Sequence, residues 1–225
     1  WVIGGFGSYW LAKRTLQPIQ EMHEAQSQFT SDASHELKTP LAVMKSELEL
    51  ALIDSEMKKE DYKEVIASSL EEVDKLANLT QNLLKMSRYE HDDILLDGKV
   101  DLSQEVKRVI ELIDTDKRVE FTPLKNKWFA KGNESMLRDV CMVLIDNALR
   151  YSPPDSKVHV AISQTSRAVK LSIKNEGDGI NEKDAAHIFD RFYRADSSRT
   201  SQRNSKGYGL GLSVAKRIVD LHGGE

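Results

Sequence analysis

Apolar residues recur at three- and four-residue steps over two long stretches in the first part of the chain. Phe29, Ala33, Leu37, Leu41, Met44, Leu48 and Ala51 form one seam, which predicts a long helix from about Leu16 to Asp54. Tyr62, Ile66, Leu70, Val73, Leu76, Leu79 and Leu83 form a second, which predicts a helix from Glu60 to Tyr89 after a polar connection at 53–58. Two helices cannot bury stripes of this length by themselves. A dimeric four-helix bundle, built from two copies of a helical hairpin, is the economical solution.

The helical period ends at His91 to Gly98, H-D-D-I-L-L-D-G, which reads as a hinge between domains. Beyond it the pattern is mixed. Leu102 to Ile113 is an amphipathic helix, and Val119 to Thr122 and Trp128 to Ala130 read as short strands. Glu134 to Tyr151 is a helix stopped by Ser152-Pro153-Pro154. Val158 to Ile162 and Val169 to Ile173 alternate as a hairpin pair, and Glu182 to Phe189 and Leu210 to His222 read as helices. Helices interleaved with antiparallel strands predict a two-layer α/β sandwich, so the whole chain is of the α+β class.

Length allows more than one domain, since the chain has 225 residues. A net charge of -4 suggests no polyanion-binding role, and no nucleic acid is expected as partner. Cys141 is the single cysteine, set in a helical apolar pattern with Leu137, Val140 and Leu144, which predicts a reduced, buried thiol. Residues 1–12, W-V-I-G-G-F-G-S-Y-W-L-A, are apolar, and Lys13 and Arg14 follow them. That run is shorter than the roughly 20 residues of a spanning helix, but it fits the inner end of one. Tyr9 and Trp10 would lie near the interface and the basic pair in the cytoplasm. A short buried helix or an amphipathic anchor is the other reading.

The run S-D-A-S-H-E-L-K-T-P-L at 31–41 interrupts the first seam with chemistry. His35, Glu36, Lys38 and Thr39 crowd polar groups onto an amphipathic helix. His35 precedes the seam residue Leu37 by two positions, so it projects toward solvent. Pro40 removes a backbone donor inside the helical pattern and predicts a bend there. A neutral imidazole is a good nucleophile, and Glu36 can accept a proton from its other nitrogen. The segment resembles the phospho-acceptor box of sensor histidine kinases of bacterial two-component systems. That resemblance implies phosphorylation of His35 and makes Glu36 its acid/base partner. It assigns Thr39 to orienting water when the kinase runs as a phosphatase.

Further motifs follow in order along the second half. D-N-A-L-R-Y ends the helix before the two prolines, with Asn147 on the face of Val143 and Leu144. It is similar to the asparagine box of the same family, which implies that Asn147 ligates magnesium, Arg150 reaches phosphates and Tyr151 flanks adenine. Where the family often has another asparagine, this chain has Val143. N-E-G-D-G-I at 175–180 follows a strand, and Gly177 and Gly179 permit a tight turn. It resembles the family's first glycine box, with Asn175 in place of the aspartate that recognises the adenine amino group. I-F-D-R-F-Y-R-A-D at 188–196, which includes Arg194, resembles the phenylalanine box that anchors the nucleotide lid. Ser197 to Lys206 is lid-like. K-G-Y-G-L-G-L at 206–212 then opens a helix, so backbone N–H groups around Gly207, Gly209, Leu210, Gly211 and Leu212 can face a phosphate. Its spacing is neither a Rossmann fingerprint nor a P-loop.

Taken together, the resemblance implies a protein-histidine kinase using ATP and Mg2+. It would phosphorylate itself on His35 and pass the group to an aspartate of a response-regulator receiver domain. It also implies a homodimer, anchored in the cytoplasmic membrane with this portion facing the cytoplasm. Expected boundaries are 1–13 for the end of a transmembrane helix, 14–28 for a helical linker, 29–92 for dimerisation and phosphotransfer, and 99–225 for ATP binding. The family normally continues past H-G-G-E into a final strand pair. Two other readings stay open. One is an ATPase of the related Hsp90 and gyrase class, which lacks a water-activating acid at the start of the catalytic face of the asparagine helix, although Asp146 is nearby, and which leaves His35 unexplained. The other is a nucleotide-binding pseudokinase scaffold.

Overall fold

The computed structural model describes residues 2–90, 94–123, 129–165, 168–177, 179–195 and 207–225; of 2–13, 18, 19, 21, 22, 25 and 90 it describes the backbone alone. The chain divides into two compact units, Trp1–Leu79 and Thr80–Glu225.

The first unit is a helical hairpin. Helix α1 runs Val2–Ile53 and helix α2 runs Lys59–Glu90, its later turns belonging to the second unit. The polar turn between them is built on Asp54. Its amide N–H donates to the Leu50 carbonyl (3.0 Å), its carboxylate accepts from the Glu56 amide (3.0 Å), and the Tyr62 hydroxyl donates to its carbonyl (3.3 Å). Helix α1 starts earlier than the expected Leu16 and continues through Pro18 and Pro40. Pro40 is buried, and its ring leaves the Glu36 carbonyl without the usual i+4 amide donor.

The expected single seam resolves into two lines. Ala33, Pro40, Met44 and Ala51 are buried and Leu37 half-buried, whereas Leu41 and Leu48 are 52% and 43% exposed. On α2, Leu79 is buried and Leu76 and Leu83 half-buried, but Tyr62, Ile66, Leu70 and Val73 are exposed. A stripe stepping by three and four is wide enough to serve two contacts, and only one is made within the chain. Among the described residues, no helix is long and apolar enough to cross a membrane.

The second unit holds strand β1 (Lys99–Asp101), helix α3 (Leu102–Ile113), β2 (Val119–Phe121), β3 (Phe129–Lys131) and α4 (Glu134–Arg150). There follow β4 (Val158–Gln164), β5 (Val169–Asn175), the short α5 (Glu182–Ala185) and α6 (Gly211–Leu221). Strands β1 and β3 pair antiparallel; the larger sheet has the order β2-β4-β5. The β4–β5 hairpin is antiparallel as expected, in the register Val160↔Ile173, but β2 lies parallel to β4. That parallel pair corrects the all-antiparallel expectation: the crossover from β2 to β4 is long enough to contain β3 and α4. Strand β1 was not expected, because its inward-facing residue is Val100 alone and no alternation shows in so short a run. Helix α5 is shorter than the expected 182–189, since turns replace helix after Ala185. Trp128 and the stretch Ser197 to Lys206 lie outside the described residues.

Alternation in β4 (Val158, Val160 and Ile162 inward) meets one face of α3 (Leu102, Val106, Val109) and one face of α4 (Cys141, Ile145, Ala148) to form the core. Several polar ties hold α4. Asn133 caps its start by accepting from the Ser135 and Met136 amides. The His222 ring lies against Gly132, where a Cβ would come within 2.3 Å of it. Its Nε2 accepts from the Asn133 amide (3.1 Å) while Nδ1–H donates to the Ile218 carbonyl (2.7 Å). At the other end Arg118, following Asp114 on the approach to β2, donates to the carbonyls of Leu149 (3.1 Å), Pro153 (2.6 Å) and Ser156 (3.1 Å). Buried Glu105 of α3 accepts from Arg138 of α4 (2.5 Å) and Arg108 (2.7 Å), so its charge is paired.

The last turns of α2 also belong to this unit. Asp139 of α4 accepts from Lys85 (2.8 Å) and from the Tyr89 hydroxyl (2.9 Å), and Arg217 of α6 donates to the Tyr89 carbonyl (3.0 Å). Burial, followed by the charge of Asp139, pushes the Tyr89 phenol well above its usual range.

Cys141 is a free, buried thiol, as expected. Burial pushes it up to about 12, with the Glu105 carboxylate adding to the effect. At pH 8 its thiolate fraction is then on the order of one in ten thousand, against roughly a quarter for an unfolded cysteine. Native protein should therefore fail to react with a disulfide reagent at pH 8 and react fully in denaturant. Stoichiometric labelling within the mixing time would contradict the burial.

Candidate functional site

Helix α4 presents two faces. Met136, Val140, Cys141, Ile145 and Ala148 are buried, while Val143, Asp146, Asn147 and Arg150, turned away from Cys141, Ile145 and Ala148, are half-buried and Tyr151 at the C-cap is exposed. A helix this firmly seated delivers the residues of its last turns to fixed positions.

Three glycine contacts show what those positions meet. A Cβ at Gly177 would lie 2.4 Å from the Tyr151 carbonyl oxygen, so the turn after β5 closes directly on the end of α4. At Gly207 a Cβ would lie 2.7 Å from Nη1 of Arg150, and at Gly211 it would lie 3.2 Å from Cγ1 of Val143. The structure thus brings together Asn147, Arg150, Tyr151, Gly177, Gly207 and Gly211. Asn175 ends β5, exposed, with Nδ2 close to Gly177. Gly179 is exposed, with φ 74° and open space where a side chain would be.

The glycine turn is also tied to the segment of Arg194. Gly209 has φ 70°, and its carbonyl accepts from the Phe192 amide (3.0 Å). A Cβ there would fall 2.5 Å from the Tyr193 carbonyl oxygen. Phe192 itself takes a φ of 62°, a conformation that side chains rarely adopt. Tyr193 is anchored in turn, its hydroxyl donating to Asp184 (2.5 Å). Arg194 is half-buried at the end of this stretch. Leu210 is buried as N-cap of α6, and no described side chain caps that helix. Gly211 and half-buried Leu212 form its first turn, whose backbone N–H groups suit an anion.

Asp146 pairs with Arg150 (Oδ2 to Nη2, 2.6 Å). From the sequence, Asp146 is noted only as an acid near the catalytic face, although its i, i+4 spacing from Arg150 is a pairing signal. The contact of Val143 with Gly211 had no signal at all, because it joins segments far apart in the chain.

On α1, His35 is exposed and Thr39, one turn later, is exposed beside it. The Thr39 hydroxyl donates to the His35 carbonyl (3.2 Å), Glu36 is half-buried and Lys38 exposed. Buried Ala33 and Pro40 flank the box, so the apolar side of the helix holds the imidazole at its surface.

Asn147 suits a magnesium ion carried by a nucleotide: its amide oxygen is a hard donor on the partly open face of α4, and such an ion draws its other ligands from water and phosphate. Among the described residues no cluster of three or more His, Cys, Asp or Glu could hold a metal by itself.

Comparison with known proteins gives the same order of parts. Residues 25–92 match the family described as His Kinase A (phospho-acceptor) domain. Residues 132–225 match the family described as Histidine kinase-, DNA gyrase B-, and HSP90-like ATPase. The chain therefore belongs to the sensor histidine kinases and carries their ATP-binding domain. It is 36% identical to the sensor protein CiaH of Streptococcus pneumoniae over 98% of its own length and 50% of that protein's. It is 32% identical to the sensor histidine kinase CusS of Escherichia coli over 93% of its length and 44% of that protein's. The chain thus spans about half the length of the relatives it matches. Among solved structures, the fold is shared with the Acinetobacter baumannii histidine kinase AdeS (TM-score 0.62, 24% identity, 83% of this chain and 86% of that one). It is shared also with the histidine kinase ThkA, solved in complex with the response regulator TrrA (TM-score 0.67, 17% identity, 96% and 60%).

Two of the positive-φ glycines, Gly179 and Gly209, give a paired test. Gly209→Ala forces a side chain into backbone and should lower the melting temperature and weaken binding of a fluorescent ATP analogue by roughly tenfold or more. Gly179→Ala meets open space and should cost only the backbone term, about 1–2 kcal/mol, with binding largely kept. Equal effects in calorimetry and in binding would contradict the assigned roles.

Proposed function

We propose that this chain is the catalytic portion of a membrane-anchored sensor histidine kinase, facing the cytoplasm. The observation that carries the reading is the closure of two glycine turns, at 177 and 207–211, on the Asn147–Arg150–Tyr151 end of α4. In the same chain, His35 stands exposed beside Glu36.

The nucleotide lies over the end of α4. Tyr151 flanks adenine, Asn175 hydrogen-bonds the base from the turn of Gly177 and Gly179, and Arg150 and Arg194 reach the phosphates. Backbone N–H groups at Gly207, Gly209, Leu210, Gly211 and Leu212 face the same phosphates from the start of α6. Asn147 would hold a magnesium ion through its amide oxygen, and that ion, when bound with the nucleotide, would supply neutralisation of charge on the phosphates. An imidazole nitrogen of His35 bonds to the γ-phosphorus as the bond to the β–γ bridging oxygen breaks, and ADP leaves. Glu36 takes the proton from the other ring nitrogen. Catalysis is mostly positioning and charge stabilisation. The phosphoryl group then passes to a receiver-domain aspartate, and the proton returns from Glu36 to the ring, which restores neutral His35. Thr39 serves the opposing phosphatase activity, orienting a water that attacks the phosphoaspartate and releases inorganic phosphate.

The exposed line Leu41, Leu48, Ile66, Leu70 and Val73 supports a homodimer, in which a second hairpin covers it as a four-helix bundle. Domain boundaries follow as 29–92 and 99–225, with 14–28 as linker and 1–13 as the inner end of a membrane helix.

With labelled ATP, His35→Gln should lose acid-labile label while still binding nucleotide, and Asn147→Asp should lose nucleotide. Thr39→Ala should keep autophosphorylation and slow dephosphorylation of the regulator, whereas Glu36→Ala should impair the kinase step. Persistent acid-labile label on the His35→Gln protein would overturn the assignment.

A further inference from the structure

The Asp146–Arg150 pair has two readings. As an ordinary i, i+4 ion pair on a half-exposed helix face it would stabilise α4 little and touch no chemistry. The position of its guanidinium argues for more. Arg150 is the basic residue in the last turn of α4, and its two terminal nitrogens meet different segments. Nη2 is held by Asp146 Oδ2 at 2.6 Å, while Nη1 lies where a Gly207 Cβ would stand, 2.7 Å away. The carboxylate therefore fixes a long side chain, which would otherwise spread over many rotamers, against the turn that opens toward α6.

We infer that Asp146 is a positioning residue for the phosphate chain of the nucleotide, acting through Arg150. This rests on the reading of the α4 end as the nucleotide site. The inference runs against simple electrostatics, which makes it testable by sign. A carboxylate near phosphates repels them, so its removal by charge alone would tighten binding. If its task is to aim Arg150, removal must weaken binding instead. An oxygen engaged by a guanidinium is also poorly placed to activate water, in line with transfer to a side chain rather than hydrolysis.

The test uses the full chain with Mg2+, titrating ATP and, separately, adenosine against a fluorescent ATP analogue. Arg150→Ala should weaken ATP by about tenfold, the loss of one charge-assisted hydrogen bond, and leave adenosine within about twofold. Asp146→Ala should weaken ATP by about three- to fivefold with adenosine unchanged, a smaller loss because the arginine is misaimed but present. Asp146→Asn keeps an oxygen acceptor and should recover most of that loss. Since both residues act as one unit, the double Ala variant should bind ATP no more weakly than Arg150→Ala alone. Melting temperatures near that of the native protein would show that none of this is unfolding. ATP binding by Asp146→Ala that matches or exceeds the native protein's would overturn the inference, as would additive losses in the double variant. Either result, with the Arg150→Ala loss intact, would leave the nucleotide reading standing. If Arg150→Ala leaves ATP affinity unchanged, the nucleotide reading of this helix end fails and the inference with it.

Discussion

Burial of one face of α4 is the constraint on which the second unit depends. Cys141, Ile145 and Ala148 pack against α3 and the inward residues of β4, so the helix has one rotational setting available. That setting turns Val143, Asp146, Asn147 and Arg150 to the opposite side. A helix rotated by one residue would bury Asp146 and expose Ile145, and leaving a charge unpaired in the core costs far more than any contact it could gain. The polar face is thus placed by the apolar one.

Ends matter as much as rotation. His222 and Asn133 hold the start of α4 through a chain of hydrogen bonds, and Arg118 holds its end by satisfying three carbonyls. With both ends held, neighbouring backbone can approach closely, and glycine becomes necessary where it does. Gly177 against Tyr151, Gly207 against Arg150 and Gly211 against Val143 are three consequences of one seated helix. Val143 contributes its methyl groups to the last of these contacts.

Much of this was legible in the chain because it is written locally. Periodicity located α3 and α4 to within a residue and the β4–β5 hairpin with its pairing. The motif residues at 147–151, 177 and 207–211 were found as spacings, and folding brings their segments together. What escaped notice depends on distant partners. Strand β1 is too short to show a period, and parallel pairing of β2 with β4 is decided by the crossover through α4. The stripe on α1 and α2 predicted packing correctly but not which part is used within the chain: Leu41, Leu48 and Ile66 remain exposed, and Pro40 is buried in their place. Helix α5 gives way to turns after Ala185, and beyond them Phe192 takes a positive φ that no propensity signals, its amide donating to the Gly209 carbonyl.

The most direct test of a single nucleotide site built on α4 is a backbone amide NMR titration of the native chain with Mg2+ and a non-hydrolysable ATP analogue. The account predicts that the largest shift changes fall together, with one affinity, at 147–151, 175–179 and 207–212, while amides of the core-facing Val106 and Val109 stay nearly fixed. Shifts confined to one of those three segments, or centred elsewhere in the fold, would contradict it.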